Sequence, residues 1–239
     1  MTHEPLTLTA PDGPVPADEV IPKAGVRGAL VVVQEGFGVN AHIIDVCRRF
    51  ATAGYRTVAP HLFHRDGVNE LPYEIDLAMA HIGNLTAAGV RADVAASLDH
   101  LAGLGFALPS IGVVGFCMGG SVALVAACDH PLGAAVTFYG GGVGTGRFGF
   151  PPLIEMAPDI KSPWLGLYGD LDQGIPVDDV ERLRSAAATA SVPTSVVRYA
   201  DAGHAFHSDT RPDRYHEPSA KDAWDKTLAW FARYLAPPR

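Results

Sequence analysis

Ile111-Gly112-Val113-Val114-Gly115-Phe116-Cys117-Met118-Gly119-Gly120-Ser121 is the stretch from which the rest of the chain can be read. An apolar, β-branched run leads without a break into a glycine-flanked cysteine, and an apolar helical pattern follows. A strand that bends at once into a helix needs small residues on both sides, because a Cβ would clash where the backbone takes strained dihedrals. Gly115 and Gly119 supply them. The bend lifts Cys117 above the sheet edge and sets it at a helix N-terminus, whose positive dipole end favours thiolate over thiol. This is the spacing of a G-x-nucleophile-x-G elbow with Cys where Ser is usual, and it aims the Met118 N–H at a developing oxyanion.

Working outward, short β-branched runs at 29–34, 56–59, 111–115, 135–139, 164–168 and 195–199 alternate with helical patterns at 40–53, 90–104, 121–128, 177–190 and 219–235. That alternation predicts an α/β fold with a mainly parallel sheet. Several of the runs are apolar throughout, as expected of strands covered by helices on both faces. The segment 6–20 is expected to add an antiparallel edge, turning at Pro11, Asp12 and Gly13. A loop and one irregular helix are expected over 61–86, and the glycine-rich run 140–146, which no Lys-Ser or Lys-Thr follows, reads as a mobile loop rather than a phosphate cradle. No linker divides the 239 residues, so one domain over 1–239 is expected.

Composition narrows the function classes. Apolar residues make up 48% and charged residues 18%, which predicts a compact chain without long disorder. The formal charge of -8 argues against nucleic acid as a partner, since phosphate binding needs clustered Lys and Arg. No apolar run reaches the roughly 20 residues that span a bilayer, and no signal-like segment opens the chain, so a cytoplasmic, membrane-free address is expected. Three cysteines cannot pair completely and lack zinc-ligand spacing, so reduced thiols are expected. Cys47 and Cys128 sit in apolar helical patterns as small core residues, which leaves Cys117 as the nucleophile candidate.

A cysteine nucleophile needs a base within reach and an acceptor that orients the base. His204, in Gly203-His204-Ala205-Phe206, falls in the loop after the last strand, where the order nucleophile, acid, histidine puts the base. His207 lacks the preceding glycine, and His100 and His130 fall on helical patterns as expected surface residues. The acid follows the run ending at Tyr168, in Gly169-Asp170-Leu171-Asp172. Asp172 is favoured because the loop has left the strand there, with Asp170 as the alternative. Gln34-Glu35-Gly36-Phe37-Gly38-Val39-Asn40 ends the first long apolar run. Gly36 is the expected second oxyanion donor, Glu35 a regulator of the thiol, and Phe37 and Tyr139 the expected substrate contacts.

Together, these four motifs resemble the dienelactone hydrolase family of the α/β-hydrolase superfamily, in the family's order and over most of the chain. The resemblance implies an α/β-hydrolase fold without a large cap domain and a Cys117–His204–Asp172 triad. It also implies that Glu35 activates the cysteine when substrate enters, with no metal or cofactor and a lactone or small ester as substrate. A monomer or homodimer is the expected assembly. A general carboxylesterase or thioesterase, or a thiol-sensing or binding module on the same fold, is the alternative. The sequence departs from the family pattern where arginines bind a substrate carboxylate. Ser208 stands four residues after His204, only Arg65 is cationic within 61–74, and Arg147 and Arg211 are the remaining candidates.

Overall fold

The computed structural model describes residues 1–238. Its centre is an eight-stranded sheet in the order β1-β2-β4-β3-β5-β6-β7-β8. The strands are β1 (Thr2–Ala10), β2 (Gly13–Ile21), β3 (Gly28–Val33), β4 (Tyr55–Pro60), β5 (Ile111–Phe116), β6 (Ala134–Phe138), β7 (Trp164–Gly169) and β8 (Thr194–Tyr199). The six strands from β4 to β8 of that order run parallel to one another, while β1 and β2 form an antiparallel hairpin whose β2 pairs antiparallel with β4. The edge anticipated at 6–20 is thus both strands of this hairpin. Every residue of β3, β5, β6 and β7 is buried, because helices cover both faces of the sheet.

The helices are α1 (Ala41–Thr52), α2 (Ile75–Asn84), α3 (Ala87–Gly103), α4 (Met118–Asp129), α5 (Leu153–Met156), α6 (Val177–Ala187) and α7 (Glu217–Tyr234). Asn40 caps α1, its Oδ1 accepting the Ile43 N–H at 3.2 Å. Helices α1 and α7 meet through Phe50, which packs on Trp224 and Phe231. Two expectations need correction. The region 61–86 holds a regular ten-residue helix, α2, rather than an irregular one. Helix α4 begins at Met118, not at 121, because the glycines at 119 and 120 that look like loop residues are packing sites inside its first turn.

Packing explains those glycines. A Cβ on Gly119 would stand 2.4 Å from the Gln34 carbonyl oxygen, and one on Gly115 would stand 1.8 Å from the Gly119 carbonyl oxygen. The first turn of α4 is therefore pressed against the ends of β3 and β5, closer than any side chain permits. Among the described residues no helix is long and apolar enough to cross a membrane.

Candidate active site

Cys117 takes φ 54° and ψ −118°, a region that costs an L-residue about 1–3 kcal/mol unless its surroundings fix it. They do so here from three sides. The Cys117 N–H donates to the Phe138 carbonyl at 3.0 Å, and the Gly120 N–H donates to the Cys117 carbonyl at 3.0 Å. The Gly120 carbonyl in turn accepts from Thr137 Oγ1 at 2.9 Å, and Thr137 Oγ1 accepts from Trp164 Nε1 at 3.0 Å. The elbow is thus tied to β6 and β7. Met118 follows as the first residue of α4, and its N–H has no acceptor within the helix.

Asp172 and His204 meet beside this elbow although 32 residues separate them in the chain, with Asp172 Oδ2 2.6 Å from His204 Nδ1. Asp172 is buried, and its Oδ1 accepts the Gly174 N–H at 2.9 Å, which fixes the carboxylate. The two aspartates differ in their partners. Asp170 is held by Arg198 through two hydrogen bonds of 2.7 Å. The His204 ring also lies close enough to the Cys117 thiol for each to shift the other's proton affinity.

Electrostatics follow from that contact. Burial is the largest single influence on the Cys117 thiol and pushes it up, but the neighbouring His204, with help from Arg147, outweighs it, and the thiol lies below its ordinary value. His204 moves the other way: burial disfavours its charge, yet the sulfur and the Asp172 carboxylate raise it above an ordinary histidine. Both shifts favour a thiolate–imidazolium pair. The remaining cysteines behave oppositely, since burial pushes Cys47 and Cys128 each up to about 12.

The Cys–His–Asp set opens onto a cleft of about 1290 Å³, lined by Glu35, Gly36, Phe37, Cys117, Asp172 and His204 among others. The profile of the dienelactone hydrolase family matches residues 17–235. The chain belongs to the dienelactone hydrolase family. A Salmonella typhimurium relative named "Putative carboxymethylenebutenolidase" is 41% identical over 228 residues, covering 92% of this chain and 83% of that one. The carboxymethylenebutenolidase of Rhodococcus opacus is 30% identical, covering 93% and 87%. A solved Klebsiella pneumoniae structure, named "Putative Dienelactone Hydrolase", is 37% identical with a TM-score of 0.90, covering 98% of this chain and 99% of that one. The α/β-hydrolase fold and membership among the ester- and lactone-cleaving hydrolases therefore hold for this chain.

Beside the sulfur, Glu35 is 1% exposed, and each of its carboxylate oxygens accepts a hydrogen bond. Oε1 accepts from the Tyr139 hydroxyl at 3.2 Å, and Oε2 accepts from Arg211 Nη2 at 2.8 Å. Tyr139 is a correction. It has no exposed surface and does not line the cleft, because it packs its ring 5.2 Å from the His204 ring and spends its hydroxyl on Glu35. Phe37 does line the cleft, with the Arg211 guanidinium 5.2 Å from its ring and 5.2 Å from that of Tyr73.

Both arginines left over by sequence reach the cleft. Arg211 is bound to Glu35, whereas Arg147 has no acidic partner among the described residues, and burial lowers its affinity for the proton. The glycine-rich run 140–146 forms cleft wall, with Gly141, Gly142, Thr145 and Gly146 exposed to the cavity. By contrast, His61 pairs with Asp18, while His64 and Arg65 pair with Asp93, all outside the cleft. His100 is not a plain surface residue either, since its Nε2 meets Glu19 Oε1 at 3.0 Å. His207 is buried between Trp224, Phe116 and Phe138. No group of three or more His, Cys, Asp or Glu among the described residues is arranged to hold a metal ion.

Proposed function

We propose that this chain hydrolyses a lactone or small ester through an acyl-cysteine intermediate on Cys117. The observation that carries the reading is the Cys117–His204–Asp172 contact at the cleft, with both pKa shifts favouring a preformed thiolate–imidazolium pair. The Cys117 sulfur adds to the carbonyl carbon, and the Met118 and Gly36 N–H groups receive the negative charge that forms on the carbonyl oxygen. His204 gives its proton to the departing alkoxide as the C–O bond breaks, leaving a thioester. Water then attacks the thioester with His204 as base, and the thiolate returns. Asp172 holds the imidazole in the tautomer that both steps need.

Glu35 tunes the sulfur. Its charge opposes the thiolate, and Arg211 and Tyr139 hold the carboxylate in place. The relatives' names favour a lactone that bears a carboxylate, and the half-buried Arg147, which has no acidic partner among the described residues, is a suitable anchor for such a group. Three free cysteines suit a reducing, cytoplasmic setting.

Turnover of aryl acetates and enol lactones by wild type and Cys117→Ala tests the reading. Wild type should turn over at least one class, Cys117→Ala neither, and mass spectrometry should catch the acyl group on Cys117. Equal rates for the two proteins would end the proposal.

A further inference from the structure

The exposed large apolar side chains of this protein are concentrated around one cavity: Tyr73, Ile75, Met79, Leu171 and Tyr215 are all at least 36% exposed, and all line the catalytic cleft. Scattered exposed apolar residues need no explanation, but a contiguous set rimming a cavity marks a binding surface. The core of the set is a stripe on α2. Ile75, Ala78, Met79 and Ile82 follow helical i, i+3, i+4, i+7 spacing, and all four face the cavity. The stripe is graded, buried at Ala78 and Ile82 and open at Met79 and Ile75, which are 51% and 64% exposed.

Its buried end abuts the reaction centre. The space where a Gly36 side chain would stand is taken by Ile82, 2.9 Å away, and by Ala78, 3.8 Å away. Gly36 follows β3, on one side of the elbow strand β5, whereas Asp172 and His204 follow β7 and β8 on the other side. A leaving group must lie on the His204 side to receive its proton, so the part of the substrate on the Gly36 side is the acyl group. Seven residues of helix advance roughly 10 Å, about the extended length of an eight-carbon chain.

We infer that the α2 stripe of Ile75, Ala78, Met79 and Ile82 is an acyl-chain subsite, and that this enzyme takes esters with medium-length aliphatic acyl groups. The inference rests on the hydrolase reading above and adds these esters to the carboxylate-bearing lactone as a second substrate class. Each methylene laid on the stripe leaves water and raises kcat/KM by up to about fourfold. The 1290 Å³ of the cleft leaves room for it beyond the few atoms of the scissile bond.

The test compares p-nitrophenyl acetate and p-nitrophenyl octanoate on wild type and on the double variant Ile75→Asp/Met79→Asp, whose two positions are too exposed to threaten folding. Wild type should prefer octanoate by at least tenfold in kcat/KM. The variant should lose most of that preference, read as the ratio of its two kcat/KM values, and lengthening the alcohol part instead of the acyl part should show no such loss. An acetate preference in wild type, or the same octanoate-to-acetate ratio in both proteins, would overturn the inference while leaving the hydrolase reading intact. A readout independent of turnover is the rate at which octyl and methyl methanethiosulfonate label Cys117. The octyl reagent should gain over the methyl one in wild type and lose that gain in the variant, even if neither ester is hydrolysed. A wild-type dimer that the variant converts to monomer, with an unchanged chain-length ratio, would assign the stripe to a second copy of the chain and equally overturn the inference.

Discussion

The reactivity of Cys117 is a balance between groups of opposite effect. Burial and the Glu35 carboxylate raise the thiol, while His204 and Arg147 lower it, and the lowering wins. Alkylation by neutral iodoacetamide, followed against pH, reads this directly. In wild type the rate should inflect below the ordinary thiol value. His204→Ala removes the largest lowering influence, so its inflection should move up, whereas Glu35→Gln removes a raising one and should move it down. Unchanged profiles in both variants would mean that the sulfur does not sense these groups. Asp172→Asn keeps the shape of the site but favours the wrong tautomer of His204, and should cut kcat by roughly 10³–10⁴-fold, as loss of the orienting carboxylate does in related triads. Asp170→Asn breaks only the pair with Arg198 and should leave kcat nearly unchanged, which steady-state kinetics on the two variants will separate.

Helix α4 and the ends of β3 and β5 form a single packed unit, because the backbone of one lies against the backbone of the others. Gly119→Ala would drive a Cβ into the Gln34 and Val33 carbonyl oxygens, at 2.4 and 2.5 Å, where no flexible side chain can give way. It should destabilise the protein by several kcal/mol or abolish soluble expression, as overpacking against rigid backbone does, well above the usual 1–3 kcal/mol. Asn40→Ala, in contrast, removes one cap from α1 and should cost about 1 kcal/mol, visible as a small drop in the denaturation midpoint. Equal losses for the two would contradict the packing account. The acidic loop that carries Glu35 is braced in the same manner. The Leu62 N–H donates to Gln34 Oε1 at 3.0 Å, and the Leu71 N–H donates to the Phe37 carbonyl at 2.9 Å.

Across the whole molecule, acid stability should hinge on His207. Its ring lies among Phe116, Phe138 and Trp224, and burial, with His42 and Arg49 nearby, lowers its pKa from 6.5 to about 3 against a small opposing effect of Asp209. The unfolded chain therefore binds a proton that the folded one refuses between about pH 6.5 and pH 3. Stability is present above the upper limit and is lost as pH falls through that window. Between pH 7.5 and pH 5 the loss should be about 2 kcal/mol. His207→Phe keeps an aromatic ring in the site and removes the proton, so its thermal midpoint should fall less than that of wild type over the same range. Parallel curves for the two proteins would exclude His207 as the source.

Much of this was legible in the chain wherever the constraint was local. The elbow needs a strand, a cysteine and two glycines within ten residues, and apolar runs bury themselves whatever their neighbours, so the parallel strands could be read from residue types, and Cys117, His204 and Asp172, which the fold brings to one cleft, could be put forward as candidates from residue types and order. Boundaries were less readable: Gly119 and Gly120 look like loop until the strand ends pressed against them are known. Partners brought from afar were not readable at all. Arg211 and Glu35 meet across 176 positions, and no pattern within either segment specifies the other. Tyr139 shows the same limit, since its backbone position suits a substrate contact while three-dimensional packing turns its hydroxyl onto Glu35. The kind of chemistry is thus carried by short-range sequence. Which cations, rings and apolar faces surround the sulfur is fixed by long-range packing, because that alone selects among the many charged and apolar side chains able to fill the same role.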